Sequence, residues 1–210
     1  MDKTKIAVDI FNKLAGAYQA KFMDVSLYHD TFDVFCRAIK KQDAEILELA
    51  CGPGNITQYI ISKQPDFKIL GTDLAPNMIE LAKINNPSAQ FQLLDSRDIK
   101  QLHKTYDAIM CGFILPYLSK DEAIQLIKDS ALILNKNGVI YISTMEDDYS
   151  SSGLKKGSTG DEIYMHYHQA DYLTEALIQS GFSIVDIQRK TYPAADNTNV
   201  VDLILIAKLN

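Results

Sequence analysis

The sequence has 210 residues, of which 47% are hydrophobic and 23% charged, and its formal net charge is −6. This length and mix predict one globular domain with a full hydrophobic core. No run of about 18 apolar residues is present, so we expect no membrane-spanning segment. The basic residues are scattered rather than clustered, which disfavours a nucleic-acid partner. The first residues lack the apolar stretch of a signal peptide, and we therefore expect a cytoplasmic protein.

The cysteines and histidines do not form a metal-binding motif. Cys36, Cys51 and Cys111 are far apart, which also argues against a disulfide framework. His166 and His168 are two residues apart, a spacing that suits one face of a strand but is weak evidence for a metal site. We predict no bound metal.

Helix and strand patterns alternate along the chain. No helix separates the last two predicted strands, so they must pair antiparallel or lie apart. Together these patterns predict an α/β fold with a doubly wound, mostly parallel sheet and helices on both faces. The predicted helices cover about 6–22, 28–39, 55–62, 76–84, 121–134 and 170–179, and the strands about 45–50, 68–73, 89–94, 108–111, 139–143, 182–191 and 200–208.

We interpret residues 1–210 as a single domain with two accessory segments. Residues 1–42 form an N-terminal helical lid, and residues 43–210 form the core that contains the sheet. Residues 146–160 are rich in Ser, Gly and Lys and longer than an ordinary connection. We therefore interpret residues 146–169 as a second lid, over a substrate.

The loop after the first strand has the composition of a ligand-binding turn. Small residues at 50, 52 and 54 allow the backbone to turn sharply and to approach a ligand closely. Asp73 ends the next strand, where a carboxylate can accept hydrogen bonds from both hydroxyls of a ribose. A dinucleotide site needs a third glycine, and Thr57 occupies that position. A Gly-Lys-Ser/Thr phosphate loop is also missing, which favours a small adenosine-containing cofactor without phosphates.

Six stretches in order along the chain resemble the motifs of class I S-adenosylmethionine-dependent methyltransferases. The resemblance covers about residues 10 to 208. It implies a Rossmann-like sheet of seven strands in the order 3-2-1-4-5-7-6, with the last strand antiparallel, and S-adenosylmethionine as the cofactor. The stretches are 46–54, which is similar to motif I, and 71–79, 94–99, 106–118, 134–139 and 180–182.

The resemblance also implies roles for individual cofactor-binding residues. Two positions depart from the family pattern: Ala50 stands where glycine is common, and Pro116-Tyr117 where many relatives carry histidine. The implied roles are Glu48 and the loop Ala50, Cys51, Gly52 and Gly54 near the methionine moiety, Asp73 at the ribose, Leu74 and Met78 along the adenine, Asp95 and Ser96 at the adenine edge, Cys111 and Phe113 at the sulfonium, and Tyr18 closing the amino-acid end.

Aromatic and histidine residues near the second lid are candidates for the acceptor site. His166 and His168 are candidate catalytic bases, since imidazole titrates near neutral pH. Each of these side chains could equally be an amphipathic cover of a half-buried strand. Cys111 follows Met110 rather than proline, so we interpret it as a small strand-end residue and not as a nucleophile. The candidate substrate-binding residues are Tyr28, Tyr117, Tyr164 and Tyr167.

The expected function is methyl transfer from S-adenosylmethionine to a small-molecule acceptor at O, N or C. One alternative is an RNA or protein methyltransferase of the same fold. Another is a non-catalytic protein that binds S-adenosylmethionine. The oligomeric state is left open, with a homodimer among the alternatives.

Overall fold

A computed structural model describes residues 3–156, 160–193 and 199–210. Helices and strands alternate as the sequence patterns predict. The helices are α1 (Lys3–Phe22), α2 (His29–Ala38), α3 (Asn55–Lys63), α4 (Pro76–Asn85), α5 (Lys120–Ile133) and α6 (Ala170–Gln179). The strands are β1 (Glu45–Leu49), β2 (Lys68–Asp73), β3 (Gln90–Leu93), β4 (Tyr106–Cys111), β5 (Leu134–Met145), β6 (Gly153–Lys156), β7 (Glu162–Met165), β8 (Phe182–Pro193) and β9 (Asn199–Leu209).

Seven of these strands form one sheet in the order β3-β2-β1-β4-β5-β9-β8. Counted along the chain without β6 and β7, this is the predicted order 3-2-1-4-5-7-6, which is confirmed. Strands β1 to β5 pair in parallel, and β9 runs antiparallel to both β5 and β8. The carboxyl ends of β1, β2 and β4 therefore meet at one edge, where open α/β sheets bind their ligands.

The hydrophobic core lies on both faces of the sheet. Phe32 and Phe35 of α2 and Ile60 of α3 are fully buried against one face. Leu126 of α5 and Leu177 of α6 pack against the other. Because the inner strands are covered on both sides, residues 46–49 of β1 and 108–111 of β4 are buried without a break.

The second lid contains a hairpin that the sequence patterns did not predict, although a half-buried strand was one interpretation of residues 164–168. Strands β6 and β7 form an antiparallel hairpin that is separate from the main sheet. Each strand has only four residues, which is too short for an alternating pattern to emerge from a Ser- and Lys-rich segment. The predicted connection between the last two strands lies partly outside the described residues, at 194–198.

The first helix covers the ligand-binding edge of the sheet. Its side chains reach both α4 and the hairpin: the backbone N–H of Asn77 donates to Asn12 Oδ1 at 2.8 Å, and Lys13 pairs with Asp161 at 3.3 Å. We call α1 the lid helix. Among the helices in the described ranges, none has the length and apolar character to cross a bilayer.

Candidate active site

A cavity of about 860 Å³, counting the part open to solvent, lies between the lid helix and the carboxyl edge of the sheet. Its size is in the range of small-molecule sites. Three groups of residues form its wall: Thr4, Ala7, Val8, Phe11 and Tyr18 of the lid helix; Ala50, Gly52, 73–75 and Met78 at the ends of β1 and β2; and 94–97, 112–114, 117 and 118 after β3 and β4.

The loop after β1 turns through three left-handed residues. The φ angles are +51° at Ala50, +54° at Gly52 and +78° at Gly54. Glycine adopts this conformation without strain, whereas alanine does not. The loop thereby brings the backbone of Gly52 to the cavity, where a Cβ on Gly52 would lie 3.7 Å from Tyr18 Cε1.

Asp73 joins this loop to the end of β2. Its Oδ2 accepts a hydrogen bond from the Gly52 N–H at 2.9 Å, and its Oδ1 accepts one from the Ala75 N–H at 2.8 Å. Burial raises the pKa of Asp73, while the N–H bonds from Ala75 and Gly52 act in the opposite direction. The carboxylate is thus fixed at the cavity wall, and its remaining lone pairs can accept hydroxyl hydrogens.

Asp95 is held by a neighbour that the sequence analysis did not single out. Arg97 Nη2 donates to Asp95 Oδ2 at 2.6 Å, and Arg97 Nε donates to Oδ1 at 3.0 Å. Burial acts to raise the pKa of Asp95, but the hydrogen bonds from Arg97 hold it below its usual value. Arg97 Nη1 also donates to Glu122 Oε1 at 3.2 Å. The edge of the cavity after β3 is therefore a fixed ion-pair network.

Aromatic rings form the side of the cavity nearest the lid helix. Phe11 makes edge contacts with Tyr117, at 5.2 Å between ring centroids, and with Tyr18, at 5.8 Å. Burial, followed by the charge of Asp73, raises the pKa of Tyr18 to about 12. Burial also raises the pKa of Tyr117. Both hydroxyls are thus protonated at neutral pH.

Phe113, at the turn after β4, has a φ of +56°. Its N–H donates to Ser143 Oγ at 3.0 Å, and its ring packs against Tyr28 at 5.2 Å. The Tyr28 hydroxyl donates to Asp202 Oδ2 at 2.6 Å. Tyr28, a predicted substrate-binding residue, thus lies behind Phe113 and does not form the cavity wall, because its hydroxyl is bound to a buried carboxylate.

Four predicted cofactor residues lie off the cavity wall, which corrects their placement. Glu48 is 1% exposed beneath the loop, where it accepts a hydrogen bond from the Thr57 hydroxyl, and burial raises its pKa to about 7. The Cys51 side chain packs against α4. Gly54 is the N-cap residue of α3, and the Gly54 carbonyl accepts a hydrogen bond from the side-chain amide of Asn86. Cys111 is fully buried in the core.

The two histidines proposed as bases also lie off the wall. His168 is fully buried. Its Nε2 donates a hydrogen bond to the Leu115 carbonyl at 2.8 Å, and its Nδ1 forms a hydrogen bond with the Tyr172 hydroxyl. Burial lowers its pKa to about 4. His166 Nδ1 pairs with the Tyr149 hydroxyl at 3.1 Å. These contacts give both rings structural partners, which argues against the predicted role as bases.

Tyr164 and Tyr167 are on the hairpin side of the molecule rather than on the cavity wall. The ammonium of Lys3 lies 3.4 Å from the centroid of the Tyr164 ring, and that of Lys155 lies 5.2 Å from the Tyr167 ring. Tyr117 is the one predicted substrate-binding residue that lines the cavity among the described residues.

Sequence reasoning missed part of the wall, notably Val8, Ile114 and Arg97. Val8 is half-buried on a helix face with Phe11 and Ala15, and the sequence patterns did not single it out. Arg97 follows Asp95 by two residues, and charge alone does not distinguish a surface pair from a pair at a cavity. Only the folded chain brings these residues to one place.

The donors on the wall fit S-adenosylmethionine. A fixed carboxylate, Asp73, suits a ribose diol, and the apolar side chains of Leu74 and Met78 suit an adenine face. Arg97 is the cation on the described wall, and it is already paired with Asp95 and Glu122. A phosphate-bearing cofactor would therefore find no free counter-ion there.

Comparisons with known proteins agree with this geometry. Residues 46–138 match a family model described as a methyltransferase domain. A magnesium protoporphyrin IX methyltransferase from Synechocystis PCC 6803, solved with bound S-adenosylmethionine, is 17% identical and has a TM-score of 0.75 over 100% of this chain and 98% of its own. At that identity the likeness shows the fold.

Two curated relatives match the central part of the chain. A trans-aconitate 2-methyltransferase from Enterobacter sp. is 31% identical over 47% of this chain and 38% of its own length. A malonyl-(acyl-carrier protein) O-methyltransferase from Acetivibrio thermocellus is 26% identical over 55% of this chain and 43% of its own. The chain thus spans less than half the length of these relatives. The family model and the sheet order support a class I, Rossmann-like S-adenosylmethionine-dependent methyltransferase.

Proposed function

We propose that the chain transfers the methyl group of S-adenosylmethionine to a small-molecule acceptor. The observation that carries this proposal is the convergence of the Gly52 backbone, Asp73 and Asp95 on one cavity beneath the lid helix. These groups are 21 and 22 residues apart along the chain, from 52 to 73 and from 73 to 95. Their convergence matches what a nucleoside with an amino-acid arm requires.

Each part of the wall would hold a different part of the cofactor. Asp73 would accept from the ribose hydroxyls, and Leu74 and Met78 would cover the adenine. Asp95 and the Ser96 N–H would meet the adenine edge. The loop backbone at Ala50 and Gly52, with Tyr18, would enclose the amino-acid end, and Phe113 would border the reacting centre.

Bound S-adenosylmethionine supplies an electrophilic methyl group, so the chain need not provide a nucleophile. The residues of the wall align the reactants and exclude water, which are the largest contributions to a displacement of this kind. Tyr18 and Tyr117 are protonated at neutral pH, so they can donate hydrogen bonds but cannot act as bases. The acceptor must therefore present a lone pair of its own.

A small acceptor is supported by the enclosure of the cavity and by the relatives. The lid helix covers the site, which leaves little access for a folded macromolecule. The net charge of −6 disfavours an RNA acceptor. The two curated relatives are named for trans-aconitate and for a malonyl group. A non-catalytic binding protein stays an alternative that only turnover can exclude.

Titration calorimetry with S-adenosylhomocysteine tests the cofactor site. Substitution Asp73→Ala removes the acceptor of two charged hydrogen bonds, each worth about 1.5–3 kcal/mol, so we expect affinity to fall by at least about tenfold. Asp43→Ala, on the surface away from the cavity, is the control and should bind as the wild type does. Equal binding by both variants would refute the site.

Transfer of a radiolabelled methyl group to a small-molecule metabolite extract tests the reaction. We expect label in a low-molecular-weight product together with S-adenosylhomocysteine. Label in added RNA or protein but not in the extract would instead identify a macromolecular acceptor.

A further inference from the structure

The part of the cavity wall that the cofactor does not require is uncharged. It includes Val8 and Phe11 on the lid helix and Ile114, Tyr117 and Leu118 after β4, and the other lid-helix residues there, Thr4 and Ala7, are also uncharged. These side chains offer apolar surface, aromatic rings and hydroxyl groups. An inference about the acceptor from this surface rests on the proposed function.

The ionised side chains on the described wall are Asp73, Asp95 and Arg97. Asp73 is held by two backbone N–H groups at the end of β2. Arg97 forms a bidentate pair with Asp95 and reaches Glu122, and its side chain is 35% exposed. The guanidinium is thus neutralised by two carboxylates before any ligand arrives.

Away from the sulfonium of the bound cofactor, a carboxylate or phosphate on the acceptor would lose water on entering this space without gaining a counter-ion. Burying an ionised group without a partner costs several kcal/mol. Two carboxylates also lie on the same wall, and like charges repel an anion at short range. Burial of an apolar or aromatic body against Val8, Phe11 and Ile114 is favourable instead.

We infer that the acceptor has no carboxylate or phosphate anchor beyond the atom that receives the methyl group. It is a small, mostly apolar or aromatic molecule, held by ring contacts with Phe11 and Tyr117 and oriented by neutral hydrogen bonds. Trans-aconitate, a polycarboxylate, does not fit this description. The acceptor therefore differs in chemical class from the substrate for which that relative is named.

The charge of the labelled product tests the inference. The full chain is incubated with radiolabelled S-adenosylmethionine and a metabolite extract, unreacted S-adenosylmethionine is separated from the labelled products by chromatography, and the products are passed over an anion exchanger at neutral pH. We expect the label in the unretained fraction, with a transfer rate that changes less than about twofold between about 50 and about 500 mM salt, since screening weakens only ionic anchors. Label retained on the exchanger, or a rate that falls steeply with salt, would overturn the inference.

A charge placed on the wall provides a second test. Ile114→Lys puts an ammonium in the cavity, and Ile84→Lys puts one at a site that is 74% exposed on α4. We expect Ile114→Lys to lower transfer at least about tenfold, because the cation disrupts an apolar contact surface, while Ile84→Lys has no effect. Affinity for S-adenosylhomocysteine should stay within about threefold in both variants. Faster transfer by Ile114→Lys would indicate an anionic acceptor.

Failure of the proposed function is distinguishable from failure of this inference. If no product is labelled although S-adenosylhomocysteine binds, methyl transfer to this pool is refuted. The cavity is then tested by titrating the S-adenosylhomocysteine complex with trans-aconitate. Absence of binding at millimolar concentration supports an uncharged site, and micromolar binding overturns it.

Discussion

Ala50 and Phe113 are the two residues of the cavity wall that adopt a left-handed backbone conformation without being glycine. Each costs about 1–2 kcal/mol relative to an ordinary conformation. Such strain is tolerated where surrounding contacts fix the backbone, as the Ser143 hydroxyl does for the N–H of Phe113. The strain lies on two loops that line the cavity, one after β1 and one after β4.

Replacing Ala50 with glycine should therefore stabilise the protein. We expect Ala50→Gly to raise the free energy of unfolding by roughly 0.5–1 kcal/mol, because relief of the left-handed strain outweighs the greater freedom of glycine in the unfolded chain. Urea denaturation measures this difference. Ala17→Gly, at an exposed position inside α1, should lower stability by about 1 kcal/mol. A loss of stability in both variants would show that Ala50 is not strained.

The sequence and the structure give Thr57 two different roles. In the sequence it excludes a dinucleotide site, because it stands where a third glycine is needed. In the structure its hydroxyl donates to the buried carboxylate of Glu48, whose Oε1 has no partner among the described residues. The threonine thus satisfies one of the two buried carboxyl oxygens of Glu48 under the loop.

At the scale of elements, the segment after β7 docks the hairpin onto the turn after β4. The His166 N–H donates to the Pro116 carbonyl at 2.8 Å, and His168 Nε2 donates to that of Leu115 at 2.8 Å. Since the next residues of the turn, Tyr117 and Leu118, line the cavity, these histidines support the wall from behind. Their contribution to stability depends on a neutral His168 ring. Burial, followed by the nearby His166 and Lys120, disfavours protonation of that ring.

This arrangement predicts a loss of stability in mild acid. The pKa of His168 falls from 6.5 to about 4 on folding, mainly through burial. Between these values the unfolded chain binds a proton that the folded chain does not, so stability decreases as pH falls through 6.5. The loss between pH 7.5 and pH 5 is roughly 2 kcal/mol from this group.

Urea denaturation of the wild type and of His168→Gln at both pH values checks this prediction. Glutamine can keep a neutral donor near the Leu115 carbonyl but does not titrate. The wild type should be the more stable at pH 7.5, and the difference should shrink by roughly 2 kcal/mol at pH 5. Parallel pH profiles would contradict a depressed pKa at His168.

At the scale of the whole molecule, the lid helix connects parts that are far apart in sequence. It contacts α4 through Asn12 and the hairpin through Lys13 and Lys3. A ligand in the cavity touches the lid helix and the sheet edge together, so it should stabilise the folded chain as one unit.

We expect a saturating ligand to raise the melting temperature. S-adenosylhomocysteine at about 100 times its dissociation constant contributes about 2.7 kcal/mol to the folded state. For a chain of this size, that corresponds to an increase of about 5–10 °C in scanning calorimetry. Asp73→Ala, whose affinity is expected to be at least about tenfold lower, should show at most about half of this increase at the same concentration. A full increase in the variant would indicate that the ligand binds elsewhere.

The sequence by itself determined the order of the elements and the tight loop after the first strand, and its resemblance to a known family implied the order of the strands in the sheet. Helical and alternating apolar patterns are local, and the motifs at 46–54 and 71–79 lie within single strand-turn-helix units. Such units fold in the same way wherever their backbone requirements are met, which is why their bounds agree with prediction to within a few residues.

Only the tertiary structure decided which side chains reach the cavity. Glu48, Cys111, His168 and Tyr28 are in motifs or clusters that suggested a site, yet their partners (Thr57, the core, Leu115 and Asp202) bury them. Val8, Ile114 and Arg97 carry no local signal and reach the wall because the lid helix and two turns converge there. Side-chain direction depends on contacts between residues distant in sequence, and no local pattern encodes those contacts.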